Sequence, residues 1–229
     1  MLRTLHITSL LLAAIALGTS APATEPTGRE IDLLAPLQQP NAGGVWKAFH
    51  EGDAKLADVW KLDGGVLTCK GTPKGYLYTT KSYTDFILKL EWRWPPQGKA
   101  GNGGVLLRIA GRDKIWPKSL EAQINAGQAG DFWGLDGYAL QGPADRLKVV
   151  DNPQFGKLTN LRKTETAERP NGEWNQYEII ARGESVTLKI NGKVVNEATG
   201  CAATPGRICL TAEGDPIQFR NVKLIPLDK

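Results

Sequence analysis

Apolar and polar side chains alternate with a period of two through the middle of the chain, the pattern of half-buried β-strands. It predicts three consecutive strands over residues 86–94, 104–109 and 119–125. Leu88, Leu90, Trp92 and Trp94 share one face of the first, against Glu91 and Arg93 on the other. Val105, Leu107 and Ile109 oppose Leu106 and Arg108 in the second, and Leu120, Ala122 and Ile124 oppose Glu121, Gln123 and Asn125 in the third. If the three are neighbours with pooled apolar faces, Glu91, Arg93, Arg108, Glu121, Gln123 and Asn125 line one polar sheet face.

The same reading supplies the other elements. Residues 45–61 read as strand, loop, strand, Asp63-Gly64-Gly65 as a turn, and 66–70 and 76–79 as further strands. Between 126 and 173 the pattern weakens. Asp131-Phe132-Trp133-Gly134 and Gly137-Tyr138 read as loop or short edge pieces, and 146–150 and 158–163 as short strands. A long weakly patterned stretch points to a functional or mobile segment. Beyond it lie strands over 173–182, 185–190, 193–197, 206–212 and 217–227, with Asn191-Gly192 as a hairpin turn. The apolar phase slips between Phe219 and Val222, which predicts a β-bulge at Arg220-Asn221. With no helical periodicity, the fold class is all-β, a two-sheet antiparallel β-sandwich.

Bulk properties narrow the field. A chain of 229 residues suits one all-β domain, and a net charge of +4 with scattered Lys and Arg argues against nucleic acid as the partner. Residues 1–23 carry Arg3, the apolar run 10–17 (LLLAAIAL) and Ala21-Pro22-Ala23, the marks of a signal peptide cleaved after Ala23. That run is too short for a membrane span, so the protein is expected to be exported, to periplasm or medium. Residues 24–44 read as a tail and 45–229 as the sandwich. Export permits a disulfide, and Cys201 and Cys209 are near enough in sequence to close a short loop, with Cys69 left over as a buried residue.

The chemistry is narrowed by elimination. His6 and His50 are the only histidines and His6 leaves with the expected signal peptide, so a multi-histidine metal site is excluded and a catalytic triad would have to use His50. Carboxylate, guanidinium and amide groups remain. Glu121 and Gln123, two apart, point the same way, which equally describes a solvent face. Glu91 and Arg93 have the same spacing and a plain ion-pair explanation. Asn102, Arg108 and Glu213 add donors and a further carboxylate, the groups that glycosyl chemistry uses for acid and base work. Trp116, Trp133 and Tyr138 are candidate walls of a sugar site, or plugs at the sandwich edge.

The succession VWKLDGGVLTCKG, GYLYTTKSYTDFILKLEWRW, GNGGVLLRI, WPKSLEAQI, AGDFW, EWNQYEIIARGESVTLKINGKVV and EGDPIQFRNVKLIPL resembles the 3-keto-disaccharide hydrolase family, from Trp46 to Leu227. The resemblance implies a concanavalin A-like lectin/glucanase jelly roll and a carbohydrate substrate. It also implies elimination: a ketone at C3 acidifies the C2 proton, a base removes it, and the C1 substituent leaves. Water can then add to the glucal. Glu121 is the expected base and Arg108 the group steadying the enolate oxygen. Gln123 and Asn102 are hydroxyl contacts, with Glu91, Arg93 and Glu213 in support. Where relatives carry a His in a QDHG-like turn, this chain has Thr211-Ala212-Glu213-Gly214. No organic cofactor is expected; a divalent metal on Glu91, Glu121 and Glu213 stays open. A non-catalytic carbohydrate-binding module and an ordinary glycosidase are the competing readings, and the oligomeric state is open.

Overall fold

The computed structural model describes residues 28–38 and 44–227; the expected signal peptide lies outside them. Sixteen strands run in chain order: β1 (Ile31–Asp32), β2 (Trp46–His50), β3 (Trp60–Asp63), β4 (Val66–Cys69), β5 (Gly75–Thr79), β6 (Phe86–Arg93), β7 (Gly104–Ile109) and β8 (Ser119–Gln123), then β9 (Phe132–Leu135), β10 (Leu147–Asn152), β11 (Gly156–Leu161), β12 (Asn175–Arg182), β13 (Ser185–Ile190), β14 (Lys193–Ala198), β15 (Arg207–Ala212) and β16 (Ile217–Pro226). They form two sheets of eight. The first has the order β14-β13-β12-β6-β16-β4-β3, with β1 also on β16, and the second β10-β11-β9-β8-β7-β15-β5-β2. The four-residue α1 (Leu56–Val59) is the sole α-helix among the described residues.

Inward-facing residues of both sheets make one core. Leu88, Leu90 and Trp92 of β6, Tyr177 and Ile179 of β12, and Ile217 and Phe219 of β16 meet Val105, Leu107, Leu120, Ala122 and Phe132 of the second sheet. Each large side chain so buried contributes about 1.5–3 kcal/mol. Residues 31–34, expected within the tail, join the fold: β1 pairs with β16, and Leu33 and Leu34 are buried. The predicted bulge in β16 is present, with the register shifting between Arg220 and Lys223. Cys201 packs in the main core and Cys209 in the cluster on the second sheet's outer face, so all three cysteines are free.

The three strands read as neighbours are divided. β7 pairs with β8 in the second sheet, while β6 pairs with β12 and β16 in the first. Segment 94–103 carries the chain from one layer to the other. Glu91 and Arg93 therefore leave the expected polar face and lie on the opposite side of the molecule. Glu91 accepts from Arg220 and from Asn221 at 2.8 Å, and Arg93 donates to Gln218 at 2.8 Å. Both guanidiniums, Arg93 and Arg220, stack on Trp174. A metal set of Glu91, Glu121 and Glu213 cannot assemble, because a whole sandwich separates the first from the others, and no three-residue ligand group occurs among the described residues.

Arg108 also departs from the expected face. Arg207 pairs with Ile109 but Cys209 with Leu106, so β7 carries one extra residue at this point. Arg108 takes φ +54° there. This bulge breaks the alternation: Ile109 joins Leu106 on the outer face, and Arg108 turns inward. Its guanidinium donates to the carbonyls of Thr84 (2.8 and 3.0 Å), Ala202 (2.9 Å) and Gly183 (2.8 Å), with Asp85 at 3.4 Å. At 1 % exposure it is a structural clamp rather than a cation offered to substrate. Tyr138 belongs to the same region: it is 3 % exposed and donates to Ala202, so it is core and not a stacking platform. Asn125 closes the turn after β8, its N–H bound to Gln123 Oε1.

Candidate functional site

The outer face of the second sheet holds the remaining candidates. Across its strands, Cys209, Leu106, Glu121, Trp133 and Asn160 stand side by side in register, with Gly104 and Gln123 in the next row. Asn102, Trp116, Glu121, Gln123, Trp133 and Glu213 thus converge on a cleft of about 170 Å³. Leu135, Leu158 and Phe155, the last in the turn between β10 and β11, complete its apolar wall. Sequence reading missed these three, because the strands that carry them lie in the weakly patterned stretch. A larger groove of about 650 Å³ lies on the opposite face, but its lining charges are mutually paired, as Lys89 and Lys189 are with Glu178. Charges already neutralised in this way offer a ligand little, and the smaller cleft is the better candidate.

Its centre is a pair of carboxyls. Glu121 on β8 and Glu213 just past β15 meet across β7, which lies between their strands. Gly104 makes that meeting feasible: a Cβ there would collide with the Glu121 carboxyl. Glu121 is 6 % exposed, and burial, reinforced by the charge of Glu213, holds its pKa well above the usual carboxylate range. Burial raises Glu213 too, while the Thr211 hydroxyl, the Glu121 carboxyl, the Lys74 charge and the Asn102 amide act the other way. Asn102 Nδ2 donates to Glu213 Oε2 at 2.5 Å. Glu213 Oε1 is buried and has no hydrogen-bond partner among the described residues, while the Glu121 carboxyl lies within hydrogen-bond reach of Glu213. Burial thus favours the protonated form at both carboxyls, most strongly at Glu121.

The surroundings orient the pair. Gln123 uses Oε1 to accept the N–H groups of Ile124 and Asn125 at 2.9 Å, which leaves its amide hydrogens free to donate into the cleft. Gly75 pairs with Ala212 at the end of the β5–β15 ladder, so Lys74 stands opposite Glu213 one position beyond it. Lys74 is exposed and has no ion-pair partner among the described residues. Nothing in the alternation marked it. The loop bearing Trp116 is tied down through Asp113, which accepts from Tyr76 (3.2 Å) and Tyr78 (3.3 Å) and pairs with Arg207 at 2.7 Å. His50 plays no part: it lies in the sandwich, accepts the Trp60 indole N–H at 3.0 Å, and burial lowers its pKa.

The sandwich of two antiparallel sheets carries two tryptophans and a buried carboxyl pair on one outer face, and with its family match it is a carbohydrate-active, glycosyl hydrolase-like or carbohydrate-binding domain. The family model described as 3-keto-alpha-glucoside-1,2-lyase-like domain matches residues 41–225, and the chain belongs to that family. No curated protein matches in sequence. Among solved structures, a putative glycosyl hydrolase from Parabacteroides distasonis is 21% identical, covering 80% of this chain and 89% of its own, with a TM-score of 0.55. A carbohydrate-binding module from Bacillus subtilis is 13% identical over 79% of this chain and 95% of its own, TM-score 0.55. The laminarinase from Rhodothermus marinus is 11% identical over 81% and 91%, TM-score 0.53. At such identities these structures show the fold, a concanavalin A-like jelly roll.

Proposed function

We propose that this domain cleaves 3-keto-glucosides by elimination, and that the buried Glu121–Glu213 pair performs the proton transfers. The observation that carries this reading is the meeting of two buried carboxyls, Glu121 and Glu213, in a cleft walled by Trp116 and Trp133. In this reading Glu213, the anion of the pair, takes the proton from C2 of the keto sugar. The C2–H electrons move into a C2–C3 double bond and leave an enolate oxygen on C3. Lys74 replaces Arg108 as the cation facing that oxygen, and the Gln123 amide supplies a hydrogen bond. The enolate then collapses, the C1–O bond breaks, and Glu121 gives its proton to the departing oxygen. Glu121, expected from sequence to be the base, is here the acid, because burial keeps it protonated. Water adding to the glucal would complete a net hydrolysis.

The ordinary glycosidase reading fits less well. Retaining enzymes hold their carboxyls about 5–5.5 Å apart and inverting ones farther, with the anomeric carbon between them. A pair in mutual hydrogen-bond contact leaves no such room. The binding-module reading draws on the likeness to the Bacillus subtilis module and on the tryptophan walls. The deciding experiment incubates the purified protein with a 3-keto-α-glucoside and with its unoxidised parent, with and without a chelator, following released aglycone. Release from the keto compound alone is expected, at a rate the chelator leaves unchanged. Release from neither, with sugar binding still measurable by calorimetry, would favour the module.

Gly104→Ala supplies a second test. The added methyl must displace the Glu121 carboxyl, and misplacing a reacting group by about 1 Å costs about a hundredfold in rate. The variant is expected to lose that much kcat/KM while its far-ultraviolet circular dichroism stays that of the parent. Export is part of the proposal as well: N-terminal sequencing of the secreted protein is expected to begin at Thr24, and a retained residue 1 would refute cleavage.

A further inference from the structure

A second hollow, of about 550 Å³, adjoins the first, and Trp133 lines both. The half-buried indole is therefore a shared partition, with the carboxyl pair on one side and Arg146, Arg162 and Lys163 on the other. The two arginines are under-used. Arg146 makes its hydrogen bonds from a single nitrogen, Nη1, to the Arg162 carbonyl and to Asn196 Oδ1. Among the described residues Arg162 donates only to the Asp145 carbonyl, at 3.1 Å. Neither pairs with a carboxylate among the described residues, although Lys163 is paired with Glu168 at 3.5 Å. One carboxylate lies in the hollow, that of Asp131, which is 7 % exposed and accepts the Lys163 N–H with Oδ1. Two guanidiniums with free N–H edges outweigh it, and their planar forks match a carboxylate.

We propose that this hollow is a second subsite, which takes a carboxylate carried by the part of the glycoside lying beyond Trp133. The ligand class is an acidic glycoside: a uronic acid unit or a carboxylated aromatic aglycone, stacked on the indole with its charge on Arg162 and Arg146. This rests on the reading of the first cleft as a sugar site, and it adds a charge preference that the carboxyl pair alone does not give.

The test compares two isosteric probes by calorimetry, 4-carboxyphenyl α-glucoside and 4-carbamoylphenyl α-glucoside. The acid is expected to bind about tenfold more tightly, the worth of one charge-assisted hydrogen bond. That margin is expected to shrink with added salt and to vanish in Arg162→Gln, whose exposed side chain can change without altering the melting temperature. Equal affinities in the parent protein would overturn the subsite while leaving the sugar site standing. A preference for the acid that survives Arg162→Gln would overturn it too. Binding of neither probe would overturn the subsite together with the reading of the cleft.

Discussion

Glu121→Gln is expected to lower kcat/KM on a 3-keto-glucoside by about 10²–10⁴-fold, the usual worth of a positioned acid or base, and to stabilise the fold at neutral pH. The second half follows from linkage. A carboxyl whose pKa is higher folded than unfolded binds its proton more tightly in the folded state. Its contribution is fully present below the unfolded pKa and is lost as pH rises towards the folded one. Glutamine, uncharged at every pH, avoids that loss. The difference in Tm between variant and parent is therefore expected near zero below the ordinary carboxylate range and to grow as the pH rises above it. A solvent-face glutamate would give no pH-dependent difference, so calorimetry across that range separates the two readings even before a substrate is found. Glu213→Gln is expected to match the activity loss, since it removes the anion. The parent's pH–rate profile should be bell-shaped, its acid limb set by Glu213 and its alkaline limb by Glu121, both displaced upward from ordinary carboxylates.

Arg108→Ala is expected to destabilise the fold by about 3–5 kcal/mol, the cost of breaking a buried charged network. The substitution takes the guanidinium donors from the carbonyls of Thr84 and Gly183, leaves Ala202 with the Tyr138 hydroxyl alone, and opens a void where a fully buried side chain stood. Lysine does not rescue it, because one ammonium cannot reach three carbonyls set around a planar fork. Denaturant titration measures the loss. A variant of unchanged stability that has lost turnover would return Arg108 to the catalytic role its place in the sequence suggested.

Glu121 and Gln123 show how far alternation reads. Their shared face is a local matter of spacing two, and both do line the cleft. Asn102 joins them from the loop before β7 and Glu213 from 92 positions beyond Glu121, a meeting no spacing announces. Glu91 and Arg93 have the same two-residue spacing and lie on the far side of the molecule. Their alternation is identical in kind; the partner strands β12 and β16 differ. Arg108 was misplaced for a second reason. A bulge adds one residue and inverts the face of everything beside it, and Val-Leu-Leu-Arg-Ile carries no glycine or phase slip to betray it. The β16 bulge was legible because its apolar residues do slip phase, from Phe219 to Val222.

By itself, the sequence determined most of the strands, the apolar faces of those without an unseen bulge, the Asn191-Gly192 hairpin and the all-β class. Each of these depends on residues within one strand or one turn, where sterics and side-chain period act over a few positions. The tertiary structure alone decided which sheet each strand joined, which side of the sandwich carries the candidate cleft, and that Glu121 and Glu213 meet over Gly104. Sheet partners are chosen by the packing of surfaces far apart in the chain, and a carboxyl's proton is held by the water excluded around it. Neither quantity exists until the two sheets have closed.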